Sequence, residues 1–222
     1  MASLDGRTVL VSGATSASGL AATRELVAAG AQVITVGRDV DKLTPLAAAG
    51  ARTEVADLTD EDDVARLAAR VHDDGRVDGI LHLVGGWRGG GGLAGQTDAD
   101  YRLLEHSLTA LRHVSRAFDD DLRASEAARE AIVSSTTVAR PLAGGANYAA
   151  VKAASEAWTR ALAQGFAKAA RDAGEPLRAA AVVFRVKALA GLEDDLARAF
   201  AGLWDADADA VNDTVITLEA GA

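Results

Sequence analysis

Apolar residues along the chain fall into short continuous runs. These alternate with longer stretches where apolar positions recur every three or four residues. The first run covers 7–12 and is bounded by Gly6 and Gly13. Leu20, Leu26 and Val27 then share one helical face, and the pattern stops at Gly30, a residue type that commonly follows a helix end. The same alternation predicts strands over 32–36, 52–56 and 77–84, with helices over 40–49 and 60–72 between them. Residues 85–95 hold seven of the chain's 22 glycines, too many for helix or strand, so this stretch reads as a loop. Beyond it the pattern predicts a long helix over 98–122, a strand over 131–135 and a loop to Asn147. A second long helix over 148–172, a strand over 179–185, a helix over 192–203 and a last strand over 214–219 complete the chain.

Strands built almost wholly of Val, Ile, Leu and Ala are buried on both faces, which is the mark of a parallel sheet. Right-handed crossovers between them give a doubly wound α/β architecture, Rossmann-like, of about seven strands. No linker, repeat or charged tail interrupts it, so a single dinucleotide-binding domain over 1–222 is expected.

Composition removes several classes of function. With 32 acidic and 23 basic residues the net charge is −9, which repels phosphate backbones and argues against a nucleic-acid partner. The absence of cysteine excludes disulfides, thiol nucleophiles and cysteine-bound zinc, and fits a cytoplasmic protein. The first apolar run is too short for a leader or a bilayer span, so no membrane association is expected. Of the four histidines, His106 and His113 share a helical face, but nothing completes a ligand set with them, and no metal site is expected. His106, next to Ser107, and His82, at a strand end near the expected cofactor, are candidates for ligand contact but read first as packing or surface residues. Asp119-Asp120-Asp121 reads as a solvated helix end.

Candidate chemistry begins at Ser12-Gly13-Ala14-Thr15-Ser16-Ala17-Ser18-Gly19, between the first strand and the first helix. Small residues there let a backbone approach a pyrophosphate, and the helix N-terminus offers free N–H groups. Asp57 ends the third strand, where its carboxylate either accepts from an adenine amine or caps the helix near Asp60. The second strand ends Val36-Gly37-Arg38, with no acid at Gly37 to take a ribose 2′-hydroxyl. Arg38 suits a 2′-phosphate, which favours NADP(H) over NAD(H), although Asp39 stands nearby. Tyr148 and Lys152 are four apart and share a helical face. A neighbouring ammonium is expected to depress the phenol's pKa and make it usable as an acid or base. Ser135 lies thirteen residues before Tyr148, at a strand end, on the edge that carries the ligand crevice of an open parallel sheet.

On these residues the chain resembles the short-chain dehydrogenase/reductase family over nearly its whole length. The matching segments are 13–19, Asp57, the Ser134-Ser135 pair and Tyr148-Ala149-Ala150-Val151-Lys152. The resemblance implies hydride transfer between a nicotinamide and a small carbonyl or alcohol. Tyr148 would move the proton, Ser135 would orient the substrate oxygen, and Lys152 would hold the nicotinamide ribose. The implied cofactor-binding residues are Gly13, Thr15, Ser16, Ala17, Ser18, Gly19, Arg38, Asp57, Leu58, Val84, Gly85 and Gly86, together with Tyr148 and Lys152. Ser107 stands where the family has an asparagine that holds a relay water. Ala17 replaces a family glycine, His82-Leu83-Val84-Gly85 replaces Asn-Asn-Ala-Gly, and Arg185-Val186 replaces Pro-Gly. The glycine loop with Trp87, the serine and Val186 are similar to the dihydropteridine reductase subgroup, which implies Trp87 beside a flat substrate. Quinonoid pterin reduction is therefore an alternative, as is a cofactor-binding sensor without turnover. Packing of copies through the two long helices, as a dimer or tetramer, is what the family implies for assembly.

Overall fold

The computed structural model describes residues 3–219. Among them, seven strands form one sheet: β1 (Thr8–Ser12), β2 (Gln32–Gly37), β3 (Arg52–Val55), β4 (Gly79–His82), β5 (Ala128–Ser135), β6 (Ala179–Val186) and β7 (Thr214–Leu218). Their order is β3-β2-β1-β4-β5-β6-β7, and every neighbouring pair is parallel. Helices α1 (Ala17–Ala28), α2 (Val40–Ala48) and α7 (Glu193–Ala201) bury Leu26, Leu43, Leu46, Leu196 and Phe200 against one face. Helices α3 (Glu61–His72), α4 (Asp98–Ala117) and α6 (Ala146–Ala173) bury Val64, Leu67, Val114 and Phe166 against the other. This is the doubly wound sheet that the apolar runs predict.

The strand order reverses direction at β1, which pairs with both β2 and β4. A crevice opens beyond the strand ends at such a switch point. Here the loops after β1 and β4 touch. Gly13 has φ +73°, and a Cβ on it would stand 2.7 Å from the Val84 backbone N, so both backbone conformation and space require glycine.

Three expectations need correction. Strand β5 begins at Ala128 rather than 131, because Arg129 and Glu130 lie inside it and are buried. The Arg129 guanidinium is satisfied by backbone carbonyls of Leu203 (2.9 Å) and Ala206 (2.7 Å), which ties β5 to the chain after α7. The helix expected over 98–122 is two helices. Buried Phe118 leaves helical geometry at φ −115°, ψ 10°, and α5 (Asp119–Ala124) starts after it. Nor is 119–121 solvated throughout, although Asp120 is exposed. Asp121 is buried, accepts from the Val77 N–H at 3.0 Å and pairs with His72 Nε2 at 2.9 Å, fastening α5 to the approach to β4. The chain also forms a short α8 (Ala208–Val211) that the pattern does not predict. Among the described residues no helix is long and apolar enough to cross a membrane.

Candidate active site

A cleft of about 530 Å³ lies over the switch point. Nine of the expected cofactor residues line it: Gly13, Thr15, Ser16, Arg38, Asp57, Leu58, Val84, Gly85 and Gly86. Ser107, His106 and Arg88 line it as well. Ser16 caps α1 by accepting from the Gly19 N–H at 3.1 Å. The first turn of α1 carries no acid, so the positive end of the helix faces the cleft uncancelled. Ala17 is exposed at the helix start, whereas Ser18 and Gly19 are buried behind the loop. A Cβ on Gly19 would stand 1.9 Å from the Ala14 carbonyl, so this glycine serves the close packing of loop on helix. A volume in the range of ordinary cofactor sites, glycine at the close approaches and a bare helix N-terminus fit a dinucleotide.

The end of the cleft beside β2 is equally constrained. A Cβ at Gly37 would stand 2.8 Å from Thr15 Cγ2 and 3.2 Å from Leu43 Cδ2, so a side chain there would have to displace its neighbours. The carboxylate of Asp39 caps α2, accepting from the N–H groups of Asp41 (3.1 Å) and Lys42 (3.4 Å). Asp57 does not cap α3, since Asp60 takes that position. Asp57 Oδ1 instead accepts from Thr59 N (2.9 Å) and Oγ1 (2.7 Å). Those bonds hold its carboxyl below the ordinary range, with the charges of Arg38 and His106 adding.

Tyr148 and Lys152 lie on the first two turns of α6, and Ser135 ends β5. Ser135 Oγ accepts from Thr137 N (3.2 Å) and Thr137 Oγ1 (2.9 Å). With both acceptor positions taken, its own proton is left for the Tyr148 oxygen. Burial pushes the Tyr148 phenol above its usual value, and the hydrogen bond with Ser135 opposes this. The sequence expectation of a depressed tyrosine is therefore corrected. Lys152 Nζ donates to the Val133 carbonyl at 2.7 Å and lies 5.8 Å from the Tyr148 ring centroid, so desolvation outweighs its field. Burial lowers Lys152 itself to about 8, with Glu156 opposing. A Cβ at Gly85 would stand 3.6 Å from Lys152 Nζ, which puts the ammonium beside the cleft wall.

Glu156, which the sequence reading missed, continues the same helical face four residues on. It accepts from Ser134 Oγ (2.6 Å) and from Arg185 Nε (2.8 Å). The repeat 148, 152, 156 was the available signal. His82 is buried and holds α4 in place. Its Nε2 donates to the Ser107 carbonyl at 3.2 Å and its Nδ1 accepts from Ser12 Oγ at 2.8 Å, a tautomer set by a carbonyl that can only accept. Burial drives its pKa down to about 3, so it stays neutral. Ser107 spends its own proton on the Leu104 carbonyl at 2.7 Å. Trp87 is 61% exposed and stands off the cleft wall, in the loop after β4.

The family described as short chain dehydrogenase matches residues 7–170. Nodulation protein G of Rhizobium sp. (strain N33) is 33% identical over 170 residues, covering 74% of this chain and 69% of that protein. Its namesake in Rhizobium meliloti (strain 1021) is 34% identical over 172 residues, with the same shares. Among solved structures, a Pseudomonas syringae protein described as a short chain dehydrogenase has a TM-score of 0.83 at 25% identity, covering 97% of this chain and 96% of that one. A Shigella flexneri 2a relative solved with NADP has a TM-score of 0.83 at 20% identity, covering 97% and 98%. With the fold, the strand-end cleft and these matches in agreement, the chain belongs to the short-chain dehydrogenase family, oxidoreductases that bind a nicotinamide cofactor.

Proposed function

We propose that this chain reduces a small carbonyl substrate with NADP(H), using Tyr148 as the proton donor. The observation that carries the reading is the group formed by Tyr148, Ser135 and Lys152 at the edge of a cleft suited to a dinucleotide. A nicotinamide dinucleotide held there would supply the hydride that a carbonyl carbon accepts. Gly13, Thr15 and Ser16 would hold its phosphates at the start of α1, and Asp57 and Leu58 its adenine. Arg38 would take the 2′-phosphate, a role supported by the absence of an acid at the crowded position 37 and by the capping duty of Asp39. The Shigella relative solved with NADP has the same fold and lends that preference analogy only.

Tyr148 is held protonated by burial. Its Oη proton passes to the substrate oxygen as that oxygen gains charge. Ser135, hydrogen-bonded to the Tyr148 hydroxyl in the free chain, would turn its proton to the same substrate oxygen and orient it. The charge of Lys152 then steadies the phenolate that is left. Trp87, exposed beside this edge, would contact the body of the substrate.

The test is NADPH oxidation by the purified protein under a panel of ketones and aldehydes, with Tyr148→Phe beside it. The variant should lose turnover by about 10²- to 10⁴-fold, the usual worth of a positioned acid, while NADPH affinity is unchanged. Undiminished turnover would remove Tyr148 from the proton-donor role. NADPH binding without any turnover would favour the sensor alternative.

A further inference from the structure

Gln96 ends the glycine-rich loop, directly before Thr97 caps α4. Its side-chain amide reaches in two directions. Nε2 faces the carbonyls of Gly90 (3.0 Å) and Gly92 (3.2 Å) in its own loop, and that of Gly144 (3.0 Å) in the segment leading into α6. Oε1 accepts from the Asn147 N–H at 3.2 Å. That N–H belongs to the first turn of α6, whose N-cap, Gly145, has no side chain to offer. A helix start leaves four such donors without intrahelical partners. Gln96 thus caps, from 51 positions away, the residue next to Tyr148.

The backbones around it meet as well. Gly90 N donates to the Gly144 carbonyl at 2.7 Å, and Asn147 Nδ2 donates to the Thr97 carbonyl at 3.1 Å. A Cβ at Gly89 would stand 2.4 Å from the Gly144 oxygen, so only glycine permits this approach. The two joined segments also carry large apolar side chains in the open: Trp87, Leu93 and Leu142. All three are carried on loops that touch, where a ketone with an apolar body would meet them.

We propose that Gln96 is a positioning residue that fastens the glycine loop and the Tyr148 helix into one unit, keeping the phenol and these apolar side chains in register. This rests on the oxidoreductase reading of Tyr148. Two measurements on the full chain test it. In Gln96→Ala, hydrogen exchange over 85–97 and 142–150 should quicken together, while β5 and β6 keep their protection. The value of kcat/KM for an apolar ketone should fall roughly ten- to a hundredfold, the cost of a small misplacement, with NADPH affinity unchanged. Gln96→Glu keeps the acceptor for Asn147 but sets a charged oxygen against three carbonyls. Its activity relative to wild type should recover as the pH falls toward about 5, near the ordinary glutamate range, because a protonated carboxyl regains a donor. A packing role alone would give no such recovery.

Unchanged exchange over 142–150 in Gln96→Ala would overturn the fastening. Coupled loss of protection with undiminished kcat/KM would overturn the positioning role. A wild-type protein that turns over no carbonyl would refute the carbonyl-reduction reading instead. The exchange measurement then decides the fastening alone, with joint quickening sustaining it and independent behaviour refuting it.

Discussion

Glu130 sits in the middle of β5, in register with Ile80 of β4 and Ala181 of β6. Its side chain is fully buried, and neither carboxyl oxygen has a hydrogen-bond partner among the described residues. Burial pushes its pKa from 4.5 up to about 8, and the nearby charge of Asp119 adds to the effect. Below pH 4.5 the group is protonated in both folded and unfolded chains and contributes no penalty. Between 4.5 and 8 the folded chain keeps a proton that the unfolded chain releases, so stability falls as pH rises. At about 1.36 kcal/mol per unit, roughly 3 kcal/mol is lost by pH 7, and the loss levels off near 5 kcal/mol above pH 8. Glu130→Gln removes the titration while keeping the shape and an equally unpartnered polar group. The variant should match wild type near pH 4.5 and exceed it by about 3 kcal/mol at pH 7, a rise in Tm of roughly 6–12 °C for a chain of this size. Urea unfolding of both proteins from pH 5 to 9 measures it. A stability difference that does not change with pH would refute the reasoning.

Arg38→Asp should weaken NADPH binding far more than NADH binding, read as quenching of tryptophan fluorescence on titration; equal losses would remove Arg38 from the 2′-phosphate. Because burial lowers Lys152 to about 8, the proton-bound form needed in the proposed reaction is lost as pH rises through that value, so kcat/KM should fall along a basic limb near pH 8. Glu156 holds that value up, and Glu156→Gln should move the limb to lower pH; a limb that stays in place would separate it from Lys152.

The sheet was legible wherever a strand is almost wholly apolar, as in β1 and β6, because burial on both faces narrows the choice of residue type. It was not legible at the start of β5. Arg129 and Glu130 look like a turn until Arg129 meets carbonyls more than seventy positions away. The break at Phe118 was hidden for the same reason, since Asp121 turns inward to a Val77 N–H that lies forty-four positions back in the chain. In the candidate site, spacing alone brought Tyr148, Lys152 and Ser135 to one edge, because an i, i+4 pair on a helix and a strand end are local geometry. Gln96 carried no such signal. Its partners are backbone groups of glycines and of Asn147, which any sequence presents and only the fold brings together.

Charge was the part of the site where local reasoning gave the wrong sign. A lysine one turn from a tyrosine suggests a phenolate, yet the ammonium is directed to the Val133 carbonyl and the phenol is enclosed. Two neutralising tendencies result: burial keeps the proton on Tyr148 and loosens the one on Lys152. This ordering suits the proton-donating step of the proposed reduction. A phenol that already holds its proton can donate at once, and the positive charge it then needs is one helical turn away. Oxidation of an alcohol would require the phenolate first, in the setting that opposes it. Glu156 and Ser135 each work against burial, one holding the charge on Lys152 and the other easing ionisation of Tyr148. The protonation of the site therefore depends on residues flanking the Tyr148–Lys152 pair as much as on the pair itself.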